Sequence, residues 1–195
     1  MNSILTYIST NWIEFAGALL SLIYLYLSIK QKVSLWIFGF LCSALYVVVF
    51  FNGKLYADMS LQFYYLGLSV FGWFNWKRGT EETGNELPTS KTSARMWIML
   101  SVATLIIYFI YYIVLSKFTD SPIPKSDALV GALSVIATWM LARKLLENWL
   151  VWIVADALCT ALYFYKELYL TAILFIIYTV MAIVGYFKWK KLMKE

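Results

Sequence analysis

The chain has 195 residues, of which 62% are hydrophobic and only 14% charged, with a formal net charge of +5 and a mean hydropathy of +0.72. A water-soluble domain of this size needs a polar coat that such a composition does not supply, so the chain belongs in a bilayer. It has no histidine, only two cysteines and no cluster of metal-ligand residues. Nothing therefore calls for a metal, a cofactor or a nucleic-acid partner.

Residues 1–11 lack the basic start of a cleavable signal peptide. Seven apolar stretches of spanning length follow, at about 12–29, 34–51, 57–76, 95–116, 126–142, 148–165 and 168–187. Their length, without turn signals or strict alternation, predicts helices and not strands. At about 100° per residue the polar side chains of five of them align. The first aligns Glu14, Gly17, Ser21 and Ser28, and the third Asp58, Gln62, Ser69, Trp73 and Trp76. Residues 79–94, with Glu81, Glu82, Glu86, Pro88 and Lys91, form the one long polar segment and read as a solvated linker. The fourth stretch carries no charged or amide side chain over 97–115 and reads as a connector facing lipid or the backs of helices. The fifth aligns Asp127, Ser134 and Thr138; the sixth Trp149, Trp152, Asp156, Thr160 and Tyr163; the seventh Thr171, Tyr178, Gly185 and Trp189.

The second half rewrites the first. Ser21, Lys30, Trp36, Leu55-Tyr56 and Gly72-Trp73-Phe74-Asn75-Trp76-Lys77 reappear 113 positions on as Ser134, Arg143, Trp149, Leu168-Tyr169 and Gly185-Tyr186-Phe187-Lys188-Trp189-Lys190. Cys42-Ser-Ala-Leu-Tyr46 and Cys159-Thr-Ala-Leu-Tyr163 are offset by 117 instead. The extra four residues are about one helical turn, which suggests a local slip between the second helices of the two repeats. Both cysteines read as small buried hydrophobes. An odd helix between two three-helix units makes the repeats parallel, in a 3+1+3 plan shared with sugar transporters of the SWEET type. The units are 1–78 and 117–195, joined by the 79–94 linker and the 95–116 helix. With the N-terminus outside, twelve basic residues fall on the cytoplasmic face and four (Lys54, Lys117, Lys125 and Lys166) on the other. That bias predicts an outside N-terminus and a cytoplasmic C-terminus.

Polar groups in hydrocarbon tend to turn inward and mark pathways, although Ser, Thr and Gly also serve helix packing. Glu14, Asp58 and Asp127 lie near the outer surface and read as gate or structural residues. Trp36, Trp97, Trp139 and Trp189 lie near membrane ends and read as belt anchors. Asp156 stands about eight residues from either end of its span, where an ionised carboxylate costs roughly 2.5–3.5 kcal/mol. It is either a functional residue or a protonated or hydrogen-bonded structural acid. Gln62 shares a face with Trp73 and Trp76, equipment suited to clasping a planar ring by its face and edge.

Several segments resemble the Pnu family of vitamin transporters, whose best-known branch carries nicotinamide riboside (PnuC). In the first half these are Trp12-Ile-Glu14, Phe50-Phe51, Leu55-Tyr56-Ala57-Asp58, Leu61-Gln62 and Gly72-Trp73-Phe74-Asn75-Trp76. In the second they are Ser134-Val-Ile-Ala137, Arg143-Lys144, Glu147-Asn148-Trp149-Leu150-Val151-Trp152 and Leu168-Tyr169. The resemblance implies a seven-helix 3+1+3 fold and facilitated diffusion of a dephosphorylated vitamin, uncoupled from ATP or ion gradients, which a cytosolic kinase traps. It carries the family's tryptophans onto Trp73 and Trp76 and its helix-three glutamine onto Gln62. Where many nicotinamide riboside carriers have asparagine on helix six this chain has Asp156, and the helix-two asparagine position reads Cys42.

The expectation is an all-α bacterial inner-membrane carrier of nicotinamide riboside, with thiamine as the alternative within the family and a sugar as the alternative outside it. A membrane-embedded enzyme lacks a clustered nucleophile and base. A small cationic vitamin would contact Gln62, Trp73, Trp76, Asn148, Trp152, Asp156, Thr160 and Tyr178. Homo-oligomerisation is left open.

Overall fold

The computed structural model describes the backbone of residues 12–52, 56–83 and 87–193, with their side chains apart from those of 12–15, 56–58 and 80–83. Seven helices run through the described residues: α1 (Trp12–Ile29), α2 (Leu35–Asn52), α3 (Tyr56–Thr83), α4 (Ala94–Phe118), α5 (Pro124–Ala142), α6 (Asn148–Tyr165) and α7 (Tyr169–Leu192). No strand occurs among them. Five helices, α2 and α4 to α7, are long and apolar enough to cross a membrane. A helix closes its backbone hydrogen bonds internally, which is the requirement hydrocarbon imposes. α4 begins where Ser93 Oγ accepts from the Met96 amide at 3.3 Å, and α5 begins at Pro124, whose missing N–H costs nothing in a first turn. α3 outlasts its expected span and continues to Thr83, so the start of the 79–94 stretch is helical.

The described residues fall into two compact units, divided between Phe74 and Asn75. In the first, α1 packs on α2; in the second, α4 packs on α5, α5 on α6 and α6 on α7. The second unit has a core of Leu100, Ile136, Met140 and Leu145, with Met96, Ile107, Trp139 and Val151 packed against it. α4 thus seals one side of α5 and leaves Ile98, Val102, Leu105, Ile106 and Phe109 exposed.

The 113-residue repeat is written into the backbone. α1 and α5 end at Ile29 and Ala142, α2 and α6 span Leu35–Asn52 and Asn148–Tyr165, and α3 and α7 start at Tyr56 and Tyr169. The turns between the first two helices of each repeat match bond for bond. At Gln31 (φ 57°) the amide donates to Ser28 O at 3.1 Å, and the next amide, of Lys32, donates to Leu27 O at 3.0 Å. At Lys144 (φ 54°) the amide donates to Leu141 O at 2.9 Å, and that of Leu145 to Met140 O at 3.0 Å. This is the paired bonding of a Schellman C-cap, built here on non-glycine residues in the left-handed region. α6 ends the same way at Glu167 (φ 59°), with the Leu168 amide 2.9 Å from Tyr163 O.

A second repeated contact joins the helices. A Cβ at Gly72 would run into the indole of Trp36, and one at Gly185 would lie 2.7 Å from the indole of Trp149. Each glycine is therefore the hollow in which a buried indole lies. This corrects two expectations. Trp36 and Trp189 are not belt anchors, being 1% and 0% exposed, because one fills the Gly72 hollow and the other stacks inside the second unit. The slip of four residues is absent, because helix starts, turns and glycine contacts all keep 113. Cys42 and Cys159 simply occupy different turns of equivalent helices, and both are free thiols.

Gly131 gives the control for a test, since a Cβ there would meet Tyr111 only at 3.7 Å, an ordinary contact. Gly185→Ala should lose about 1–3 kcal/mol through overpacking against Trp149, whereas Gly131→Ala should be neutral or slightly stabilising. Thermal unfolding of the two variants in detergent checks this.

Candidate substrate-binding face

α6 buries one face and exposes the other with helical periodicity. Asn148, Trp149, Ala155, Asp156 and Cys159 are buried, and Trp152, Thr160 and Tyr163 are half-buried, whereas Leu150, Val154 and Phe164 are exposed. The buried face is the one carrying the predicted residues, and Asn148, Trp152, Asp156 and Thr160 succeed one another at four-residue steps along it. Asp156 is 5% exposed. Among the described residues no ion pair reaches it, the one pair formed there being Lys166 with Asp127. Thr160 Oγ1 donates to the Asp156 backbone carbonyl at 2.9 Å, so its proton is committed and its lone pairs remain. Carboxylate and hydroxyl therefore both offer acceptors on this face, beside the Trp152 indole. Such a face suits a donor-rich or cationic ligand with a planar ring. Asn148 is fully buried; its Nδ2 donates to Leu145 O at 2.5 Å and its Oδ1 meets no donor among the described residues.

Tyr178 on α7 is half-buried and packs edge-to-face on Phe175 at 5.3 Å, which in turn lies 5.1 Å from the Tyr163 ring. Thr138 on α5 spends its hydroxyl on Ser134 O at 2.8 Å, an intrahelical use that matches the packing reading of that stripe.

Asp127 is already engaged. Lys166 Nζ lies 3.0 and 3.2 Å from its two carboxylate oxygens, and Ser121 Oγ donates to Oδ2 at 2.7 Å. The pair ties the start of α5 to the end of α6. The side chains of Glu14 and Asp58 lie outside the described residues.

Trp76 sits in the second unit with a 1% exposed ring. Its Nε1 donates to Ala142 O at 3.2 Å, Lys144 Nζ stands 4.8 Å over the ring, and the Trp189 ring is 6.1 Å away. Asn75 Nδ2 donates to the same carbonyl at 2.9 Å. Trp189 then meets Trp149 edge-on at 5.5 Å. The structure thus packs Trp76 into an aromatic cluster capped by a buried lysine. In the first unit Trp73 lines an apolar cavity of about 250 Å³ with Trp36, Phe40, Ser69 and Phe74, which Gln62 does not reach. Eleven residues of α3 separate Gln62 from Trp73, about 16 Å along the axis. One small ring does not span that distance, so the joint clasp is replaced by two separate positions.

Two features escaped sequence reading. Lys144, counted as a surface cation, is 1% exposed. Glu147, quoted only as part of a motif, accepts from Thr92 of the polar segment. The 113-residue match of Lys144 to Gln31, an uncharged residue at a turn, was the available hint for the first.

Helices of spanning length with one buried polar face make the chain a multi-pass membrane protein of transporter build. Residues 11–191 match the family model described as nicotinamide mononucleotide transporter, and the chain belongs to that family. The family consists of transporters, not enzymes. Curated relatives include the nicotinamide riboside transporter PnuC of Escherichia coli K12, 24% identical over 92% of this chain and 85% of that protein. The PnuC of Neisseria mucosa is 25% identical over 95% of this chain and 74% of its own length. The riboflavin/roseoflavin transporter RibM of Streptomyces davaonensis is 24% identical over 91% and 84%. Among solved structures, the crystal structure of the vitamin B3 transporter PnuC superposes with a TM-score of 0.76 at 23% identity, covering 99% of this chain and 86% of that one. The fold is shared with it.

The Asp127–Lys166 pair is testable by a double-mutant cycle. Asp127→Asn and Lys166→Met should each lower thermal stability, and their combination should fall short of additivity by about 0.5–1 kcal/mol. Strict additivity would mean that the pair does not tie α5 to α6.

Proposed function

We propose that this chain carries nicotinamide riboside across the bacterial inner membrane by facilitated diffusion, and that a cytosolic kinase traps the product by phosphorylation. The observation that carries this reading is the α6 face, where buried Asp156 stands without a paired cation among the described residues and Thr160 adds an acceptor beside Trp152. Nicotinamide riboside has a fixed positive ring and a hydroxylated sugar, which match a carboxylate, an indole and an acceptor. Relatives named as nicotinamide riboside transporters support the choice. Thiamine, also a cationic ring, is the second reading, favoured by the same carboxylate. Riboflavin, suggested by RibM, and a sugar are uncharged and leave Asp156 without a task. On this proposal Asn148 and Tyr178 flank the face, Trp76 supports the second unit from its cluster, and Gln62 and Trp73 are proposed as substrate contacts of the first unit at two separate positions. Asp127 takes a structural role through its pair with Lys166, and Glu14 and Asp58 are proposed as gate or structural residues.

Calorimetry in detergent with nicotinamide riboside, thiamine, riboflavin and their phosphates tests the reading. Asp156→Asn keeps the shape and removes the charge, so it should weaken a cationic vitamin roughly tenfold or more, as loss of a buried charge-assisted contact does. It should cost an uncharged ring analogue much less. Equal losses for charged and uncharged ligands would remove charge pairing from the mechanism.

We also propose the parallel 3+1+3 plan, with units 1–78 and 117–195 joined by 79–94 and 95–116, and with the C-terminus cytoplasmic. The distribution of lysine and arginine supports that orientation. A cysteine introduced at Lys91, which is exposed, should be shielded from impermeant thiol reagents in intact cells and label readily in inverted vesicles. Labelling from outside would reverse the topology.

A further inference from the structure

The polar segment before α4 is not a slack connection. Leu87 fills the hollow over Gly79, where an added Cβ would collide with its side chain. Three residues on, Ser90 pairs with the α5–α6 turn as a short parallel bridge: its amide donates to Lys144 O at 3.1 Å, and its carbonyl accepts from the Leu146 amide at 2.9 Å. Thr92 then donates twice to one oxygen of Glu147, from its amide at 2.8 Å and from Oγ1 at 2.7 Å. Ser93 caps α4. Within seven residues the segment is fastened at four points, two of them backbone bonds and two charge-assisted.

All of these fastenings end on residues 144–147, immediately ahead of α6. Glu147 is the N-cap residue of that helix but makes no side-chain bond to it; its carboxylate is spent on Thr92 instead. Leu145, the bridge partner of Ser90, offers its carbonyl to the buried Asn148 side chain, the first residue of α6. The chain of contact therefore runs from the segment through the turn into the first turn of the helix that carries Trp152, Asp156 and Thr160. The equivalent turn of the first repeat has the same backbone bonds but Ser34 in place of Glu147, so it lacks this carboxylate anchor.

We propose that residues 87–93 are a positioning strap for the transport site: Thr92, through Glu147, and Ser90, through Leu145, set the height and rotation of α6 and thereby present Asp156 to the substrate. This rests on the proposed reading that the Asp156 face binds a cationic vitamin. The strap residues do not touch the substrate. They act through α6.

The test uses the full-length protein in detergent and in proteoliposomes, with nicotinamide riboside as probe. Thr92→Val removes one donor without changing size, Glu147→Gln removes the charge of the acceptor, and Thr92→Ser keeps the donor. Two quantities are read: hydrogen exchange of the amides of 149–156, which needs no substrate, and the affinity and KM for nicotinamide riboside. Thr92→Val and Glu147→Gln should speed exchange there and weaken affinity roughly 3–10-fold, less than the full loss of a charge-assisted bond because the effect reaches the site only through α6. Thr92→Ser should restore both, and in an Asp156→Asn background Thr92→Val should cost little more. Unchanged exchange overturns the strap whatever the substrate. Faster exchange with unchanged affinity, in a protein that Asp156→Asn does weaken, leaves only a structural tie and also overturns it while sparing the site. A wild-type protein that binds no cationic vitamin removes the site reading, and the strap's purpose with it.

Discussion

Hydrocarbon leaves a peptide group no alternative partner, and that constraint governs how this chain reverses direction. Each described helix is self-contained, so the difficulty falls on the ends, where four carbonyls lose their intrahelical donors. The solution at Gln31, Lys144 and Glu167 is one left-handed residue whose own amide and the next fold back onto the helix. Glycine would adopt that conformation freely, and a side chain there costs about 1–2 kcal/mol. The chain nonetheless places long polar side chains at all three positions. At Lys144 the reason is visible, because the turn aims the side chain back over the Trp76 ring.

That placement links the turn to the aromatic cluster. Lys144, Trp76, Trp189 and Trp149 form a continuous series of cation–π and ring–ring contacts, and Gly185 supplies the hollow that lets Trp149 sit deep. Trp76 and Asn75 both donate to the last carbonyl of α5, Ala142 O, so a side-chain pair completes what the cap leaves open. The end of α3, the α5–α6 turn and the end of α7 thereby become one block. The tryptophans that look like substrate platforms or membrane anchors in a linear reading include several whose work is this internal packing.

The sequence made the large features legible for physical reasons. Spanning length and apolar content have few structural solutions, so seven helices followed directly, and the 113-residue echo marked two repeated units. The α6 face was legible because polar residues at a four-residue step on an apolar helix must share a side. What stayed hidden depended on distance in the chain. Nothing in the composition of 79–94 distinguishes a solvated linker from one fastened to Glu147, since both are polar. Nor does an Arg-Lys pair at a helix end reveal which cation is buried; Arg143 is exposed with its guanidinium near Trp139, and its neighbour is enclosed. The Cys42 and Cys159 pentapeptides misled because local similarity was read as register, whereas register is set by the turn and the glycine hollow.

The acids of the spans also separate by environment and not by type. Asp127 has a lysine on both oxygens and a serine besides, so its charge is balanced within the fold. Asp156 is more deeply buried, and the hydroxyl of Thr160 gives its proton to the Asp156 backbone carbonyl and not to the carboxylate. The fold pairs the first acid within the chain and, among the described residues, gives the second no ion pair. For the first the partner is part of the chain. For the second, an ionised carboxylate buried without a cation would work against the fold, which is the physical ground for proposing a cationic ligand.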